Sequence, residues 1–330
     1  MPVGAAAQSG GSAEASASEA KGAASEKNDT PKKGDVTEIE NTVPEAAFKD
    51  ARSRETLIVQ ALLDRTAHSP GVIDGFDGGN TQRAVRAFEK ANGLTVDGRL
   101  DAKLIQTLAD QVGEGVLRTY TLTTDDVSGP FKPVPDSMAE MAKRDNLGFA
   151  GVEELLGEKF HMTPGLLKAL NPDADMTREG TKILVVENGE GAVPGKVLRI
   201  EVDKANSELR AFGEDDQLIA SFPATVGSSE FPSPTGTMQI AAIAPEPNYT
   251  FDPDDQEWGS DETLILPPGP NNPVGGTWID LGKEGYGIHG SPEPSNIGKT
   301  ASHGCVRLTN WDAEALANAV EPGKTEVVFM

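Results

Sequence analysis

Large apolar residues are rare over the first 45 positions, then recur at helical spacing, and beyond position 195 alternate along short runs. The opening stretch is rich in Ala, Ser, Gly, Glu and Lys and cannot bury enough surface to offset chain entropy, so residues 1–48 are expected to be a disordered linker. "RETLIVQALLDRTAH" sets Leu57, Ala61 and Leu62 along one stripe, "TQRAVRAFEKANG" does so with Ala84, Val85 and Phe88, and "LDAKLIQTLADQV" with Leu104, Ile105 and Leu108. Three short helices separated by Gly and Asp turns predict a small helical bundle over 49–115.

Residues 116–190 open with a short strand, "RTYTLT", and close with another, "TKILVVE". Between them the pattern reads helix, turn, helix, with Pro164 at a helix start and Asn171-Pro172 after its end. His161, between Phe160 and Met162, reads as a packing residue at a helix end. Over 195–330 the period shifts to two. "KVLRIEVD" alternates Leu198, Ile200 and Val202 against Arg199 and Glu201, and "ELRAF" completes a hairpin. "QLIASFPATVG", "TGTMQIAAIA", "GTWIDLG", "YGIHG", "GCVRLT" and "TEVVFM" follow as strands. One helix interrupts them, starting at a capping box of Thr309 and Asp312. The predicted fold class is multidomain α+β: a helical bundle, a small α/β module, and a mostly antiparallel β-sandwich-like domain with one helix after the cysteine.

The length of 330 residues agrees with several domains. A net charge of -23, without a basic stripe, argues against a nucleic-acid partner. No run of 18 apolar residues predicts a transmembrane segment, and no signal-peptide pattern is visible. The polar N-terminal stretch has the character of a linker left when an export segment is removed, which leads to the expectation of an exported protein of the periplasm or cell wall.

The candidate chemistry centres on Cys305, the single cysteine, in "ASHGCVRLTN". As an extended segment, "HGCVRL" would turn His303, Cys305 and Arg307 to one face and Val306 and Leu308 to the other. Positive neighbours are expected to favour the thiolate, the nucleophilic form. His289, sixteen residues upstream at a strand end, and His303 are both candidates for the base that takes the thiol proton. One cysteine excludes thiolate metal clusters. Asp74, Asp77 and Asn80 lack calcium-loop spacing and read as turn residues; Asp252, Asp254 and Glu257 likewise lack a ligand frame. Neither a metal nor another cofactor is expected. The stretch from Pro245 to Gly276 reads as a long loop, with Tyr249 and Trp258 placed to cover an acyl pocket.

Four blocks, "SPTGTMQI", "LPPGPNNPVGGTWIDL", "YGIHGS" and "SHGCVRLTNWDAEAL", resemble in order the YkuD-type catalytic domain of L,D-transpeptidases. "GVIDGFDGGNTQRAVRAFEKANGL" and "TVDGRLDAKLIQTL" resemble the peptidoglycan-binding module of cell-wall hydrolases. "LLKALNP" and "GTKILV" resemble a LysM module, whose usual first turn is replaced here by "DDVSGPFKPVPDSMAEMAKRDN". The resemblance implies that Cys305 attacks the diamino acid to D-alanine bond of a peptidoglycan stem, with His289 as base, oriented by the Gly290 carbonyl. It implies an oxyanion site at the Gly304 and Cys305 N–H groups, a shaping or polarising role for His303, and substrate contacts by Arg307, Ser302, Tyr286 and Trp258. Implied partners are stem peptides, glycan strands and a wall-attached protein as acceptor. Transfer to water, as in a carboxypeptidase or endopeptidase, and a non-catalytic wall-binding protein are the competing readings.

Overall fold

The computed structural model describes residues 45–189, 191–252 and 262–330. Most of the expected linker, with Asp254, Glu257 and Trp258, falls outside these described residues. The N-terminal bundle comprises α1 (Arg54–Asp64), α2 (Gly79–Ala91) and α3 (Ala102–Val112). Side chains satisfy the orphan amides at two of the helix starts: Ser53 accepts from Thr56 N–H and Asp101 from Leu104 N–H.

The expected single stripe on α1 is replaced by two buried faces. Leu57 and Ala61 pack with Leu117, Leu156, Phe160 and Val185 of the following region, whereas Val59, Leu62 and Leu63 pack with Phe88, Leu104 and Leu108 of α2 and α3. A helix buried on both sides shows no clean stripe because both faces need apolar residues. Ile105 is only half-buried at the edge of the second cluster.

The next region runs β1 (Leu117–Thr121), α4 (Thr124–Ser128), α5 (Met138–Met141), α6 (Val152–Lys159), α7 (Pro164–Leu170) and β2 (Lys182–Val186). β1 and β2 pair antiparallel from Leu117 opposite Val186 to Thr121 opposite Lys182. Pro164 occupies the first turn of α7 behind the Thr163 cap, as its missing N–H favours.

The C-terminal region holds β3 (Arg199–Asp203), β4 (Glu208–Phe212), β5 (Leu218–Pro223), β6 (Gly236–Gln239), β7 (Ala242–Pro245), β8 (Tyr249–Phe251), β9 (Leu264–Leu266), β10 (Thr277–Asp280), β11 (Gly287–His289), β12 (Val306–Arg307), α8 (Asn310–Ala319) and β13 (Glu326–Phe329). Two sheets form, ordered β5-β4-β3-β13-β6 and β12-β11-β10-β7. Ile200, Val202, Leu209 and Val327 of the first meet Ile279, Ile288 and Val306 of the second, with Ala313 and Leu316 of α8, in one core. Most pairings are antiparallel, but β13 runs parallel to β3 and β12 parallel to β11.

Three expectations need correction. "TGTMQIAAIA" is not one strand: β6 and β7 belong to different sheets. The loop between Pro245 and Gly276 contains the antiparallel pair β8–β9, on which Leu147 and helix α5 pack. Tyr249 packs against that satellite cluster. Leu198 precedes its strand and is 44% exposed, so the inward set begins at Ile200.

Candidate active site

β11 lies at the centre of the smaller sheet, between β10 and β12, and it alternates faces. Ile288 enters the core, while Gly287 and His289 turn to the opposite face. β12 runs parallel alongside, with Ile288 opposite Val306 and His289 opposite Arg307. Cys305 is the residue immediately before β12, and its thiol lies against the backbone of Gly287, two residues before His289.

His289 is buried, and its Nδ1–H donates to the Gly290 carbonyl at 2.7 Å. That bond leaves Nε2 of the neutral ring unprotonated. Burial, and then the Arg307 cation, push the His289 pKa down to about 4 against the opposing Gly290 and Val274 backbone contacts, so the imidazole is neutral at physiological pH. Trp278, opposite His289 on β10, stacks on it at 5.4 Å between centroids, tilted by 22°. Gly287 leaves the room this requires: a Cβ there would meet the indole.

Cys305 is half-buried, and its thiol donates to the Gly285 carbonyl at 3.2 Å. Burial pushes its pKa up; Gly287 and Arg307 act in the opposite direction and do not outweigh it. The expected bias toward thiolate is therefore reversed: nearby charge is weaker here than desolvation. The resting pair is a neutral thiol and a neutral imidazole.

The segment before Cys305 is a bend. Only Val306 and Arg307 form strand, and Gly304 has φ +120°, a conformation that favours glycine. The alternation predicted for "HGCVRL" holds for Val306 and Leu308, both fully buried, but breaks at Gly304. His303 is exposed and packs on Phe231 at 4.6 Å between centroids. The ring of Tyr286 lies over Gly304, with Lys283 above its own face at 4.2 Å.

Two buried hydroxyls shape the bend. Ser302 Oγ donates to the Cys305 carbonyl at 2.6 Å and accepts from Gly304 N–H at 3.2 Å. Ser302 thus braces the loop internally, and the Gly304 amide expected at the oxyanion is engaged with it. Ser233 Oγ donates to the Gly304 carbonyl and accepts from Gly227 N–H, both at 2.8 Å. Because that carbonyl and Cys305 N–H belong to one trans peptide, fixing the first aims the second the opposite way. Arg307 pairs through its backbone with Thr225, and its Nε is buried without a hydrogen-bond partner. Sequence reasoning did not single out Ser233 or Trp278. A tryptophan at an alternating strand position and a serine in the quoted "SPTG" block were the available signals.

Residues 198–329 match the family YkuD, described as the L,D-transpeptidase catalytic domain. The chain carries a YkuD-type catalytic domain. Residues 52–108 match a putative peptidoglycan binding domain. The putative L,D-transpeptidase YkuD of Bacillus licheniformis is 34% identical over 125 residues, covering 38% of this chain and 61% of that protein. The probable L,D-transpeptidase ErfK/SrfK of Escherichia coli K12 is 28% identical over 161 residues, 46% of this chain and 51% of its own length. The chain thus spans less than two thirds of these relatives. The solved catalytic domain of the E. faecium L,D-transpeptidase is 22% identical, covers 42% of this chain and 99% of its own, and has a TM-score of 0.32.

The YkuD-type domain is braced by the N-terminal region on two sides. Asn80, expected as a turn residue, lies in the first turn of α2 and donates to the Ile297 carbonyl at 2.9 Å, in the loop joining His289 to Cys305. Asp74 does cap its turn, accepting from Phe76 N–H at 3.0 Å. His161 is more than packing. It pairs with Asp64 at 2.9 Å and stacks on Trp311 of α8 at 4.6 Å and 8°. Burial opposes its protonation, but Asp64, Asp312 and Glu158 outweigh that and hold its pKa above the usual value. Thr309 caps α8 by accepting from Asp312 N–H at 3.2 Å, while the Asp312 carboxylate accepts from Ser69 Oγ at 3.0 Å. Among the described residues no group of three His, Cys, Asp or Glu side chains could hold a metal ion, and no helix is long and apolar enough to cross a membrane.

Proposed function

We propose that this chain is a peptidoglycan L,D-transpeptidase with Cys305 as nucleophile. The observation that carries the reading is the His289 Nδ1 bond to Gly290, which leaves Nε2 unprotonated on the strand paired with the one that follows Cys305. The YkuD match supplies the reaction class.

His289 Nε2 takes the thiol proton as Cys305 Sγ attacks the carbonyl between the diamino acid and the D-alanine of a stem. Cys305 N–H, aimed by Ser233, stabilises the oxyanion. Collapse breaks the carbon–nitrogen bond, His289 returns the proton to the leaving amine of D-alanine, and a thioester remains. An amine of a second stem or of a wall-attached protein then attacks the thioester and restores the thiol. In this reading Arg307 and Tyr286 line the acyl site, and a substrate carbonyl draws Gly304 N–H away from Ser302. The division into residues 49–115, 116–190 and 195–330 belongs to the same proposal. So do glycan contact by the two N-terminal modules, a LysM-like β1 to β2 unit, and action in the periplasm or cell wall.

Incubation with purified tetrapeptide muropeptides, followed by product masses, tests it. The expected products are cross-linked dimers with loss of one D-alanine per donor. Tripeptides alone would assign water as the acceptor. No thioester on Cys305, by intact mass with muropeptide or a carbapenem, would leave only the wall-binding reading.

A further inference from the structure

The loop that orients His289 is not held by the catalytic domain alone. Asn310, the first residue of α8, lays its side-chain amide between the backbones of Gly275 and Gly290, so close that a Cβ on either glycine would overlap Asn310 Oδ1. That oxygen accepts from Gly276 N–H at 3.3 Å. On the other side Nδ2 donates to Glu158 Oε1 at 2.6 Å and to the Pro270 carbonyl at 3.3 Å. A donor on one side and two acceptors on the other fix which way the amide is turned, since the flipped amide would oppose like groups. Glu158 comes from α6, forty residues before the YkuD match begins.

We propose that Glu158 is a positioning residue for His289, acting through Asn310 and Gly290. The Glu158 carboxyl holds the Asn310 amide, the amide wedges the Gly290 backbone, and the Gly290 carbonyl receives Nδ1–H of the imidazole. The region containing α6 is then a working part of the acyl-transfer apparatus. A buried amide held on both its oxygen and its nitrogen, with its shorter bond to Glu158, is a rigid linkage. A shift of Gly290 by a fraction of an ångström would turn the imidazole away from the thiol, and such misplacement is costly to catalysis. This inference rests on the acyl-transfer reading given above.

The test is the second-order rate of Cys305 acylation by a carbapenem, followed by intact mass on the full chain. Glu158→Ala and Asn310→Ala are each expected to slow acylation at least tenfold. The double variant should be no slower than the slower single, because both remove one linkage. Glu158→Gln, which keeps an acceptor oxygen for Asn310 Nδ2, should restore the rate to within threefold of wild type. Alkylation of Cys305 by iodoacetamide, measured at a pH high enough that its rate no longer rises and no base is needed, should change less than twofold in all of them. A folded Glu158→Ala protein with lower Tm but wild-type acylation would overturn the proposal, as would losses that multiply in the double variant or a Gln variant as slow as the Ala variant. Should Glu158→Ala not fold, Glu158→Met replaces it with the same expectations, and Asn310→Ala tests the linkage from its other end. A wild-type chain that does not acylate overturns the transpeptidase reading and this inference with it; wild-type acylation with an unimpaired Glu158 variant overturns this inference alone.

Discussion

Cys305 immediately precedes β12, the strand that pairs parallel with the His289 strand, and each of the two residues is shifted toward its uncharged form, the imidazole to about 4 and the thiol upward. In the proposed reaction the first step is then a proton transfer between two neutral groups, and the histidine is expected to be indispensable at neutral pH. With its pKa depressed, His289 stays an unprotonated base at every pH well above 4. Acylation of Cys305 should show no acidic limb between pH 5.5 and 8. His289→Ala should lower the rate at pH 7 by about 10²- to 10⁴-fold, with partial recovery toward alkaline pH as the thiol ionises unaided. A pH profile indifferent to this substitution would transfer the base role to His303.

Ser233 holds the Gly304 carbonyl, and through that peptide it aims Cys305 N–H. Ser233→Ala should cost about 1–3 kcal/mol of transition-state stabilisation, in the range of a weakened oxyanion donor, which reads as a fall in acylation rate of roughly 5- to 150-fold. His289→Ala should be rescued by high pH and Ser233→Ala should not, so a rescued serine variant would contradict this role.

Glu158 is half-buried, facing Asn310, His161 and Glu154, with Asp64 and Asp312 close behind His161, and desolvation of its carboxyl pushes its pKa up to about 7. A carboxyl raised above its unfolded value supports the fold below about pH 4.5 and withdraws that support as pH rises through 7. Glu158→Gln has nothing to ionise. Its stability relative to wild type should therefore improve between pH 5 and 9 by roughly 2–3 kcal/mol, visible as a widening gap in Tm; a gap independent of pH would refute the assignment.

Thr309 is fully buried at the cap of α8, shortly after β12. Thr309→Ala should destabilise the chain by about 1–2 kcal/mol, measured by denaturant unfolding. Thr309→Ser keeps the capping oxygen and should recover more than half of that loss. Equal losses in the two variants would place the effect in packing of the methyl group.

What the sequence disclosed is what repeats locally. Cys305 and His289 stood out because a lone thiol and a strand-end imidazole are visible within their own segments, and Val306 and Leu308 obeyed period two. His303 was placed wrongly on the cysteine's face because a single positive φ at Gly304 cancels the alternation. Leu198 and the split of "TGTMQIAAIA" were hidden for a related reason: an apolar run does not announce where its hydrogen bonding changes sheets. Asn310, Asn80 and Glu158 have no local signature. Their partners lie 34 to 217 residues away, and polar residues near helix starts are common enough to be read as caps.

The contacts of Asn80 with Ile297, Ser69 with Asp312, His68 with Ser221 and Glu158 with Asn310 all cross the line that similarity draws at residue 198. Cutting there would give Asn310, Ser221 and the Ile297 carbonyl to water and would free the loop between the two reacting side chains. The transplantable piece of this protein is accordingly longer than its recognisable catalytic family. Grafting residues 198–329 onto another protein would move Cys305 and His289 but leave behind the helices that brace the loop between them.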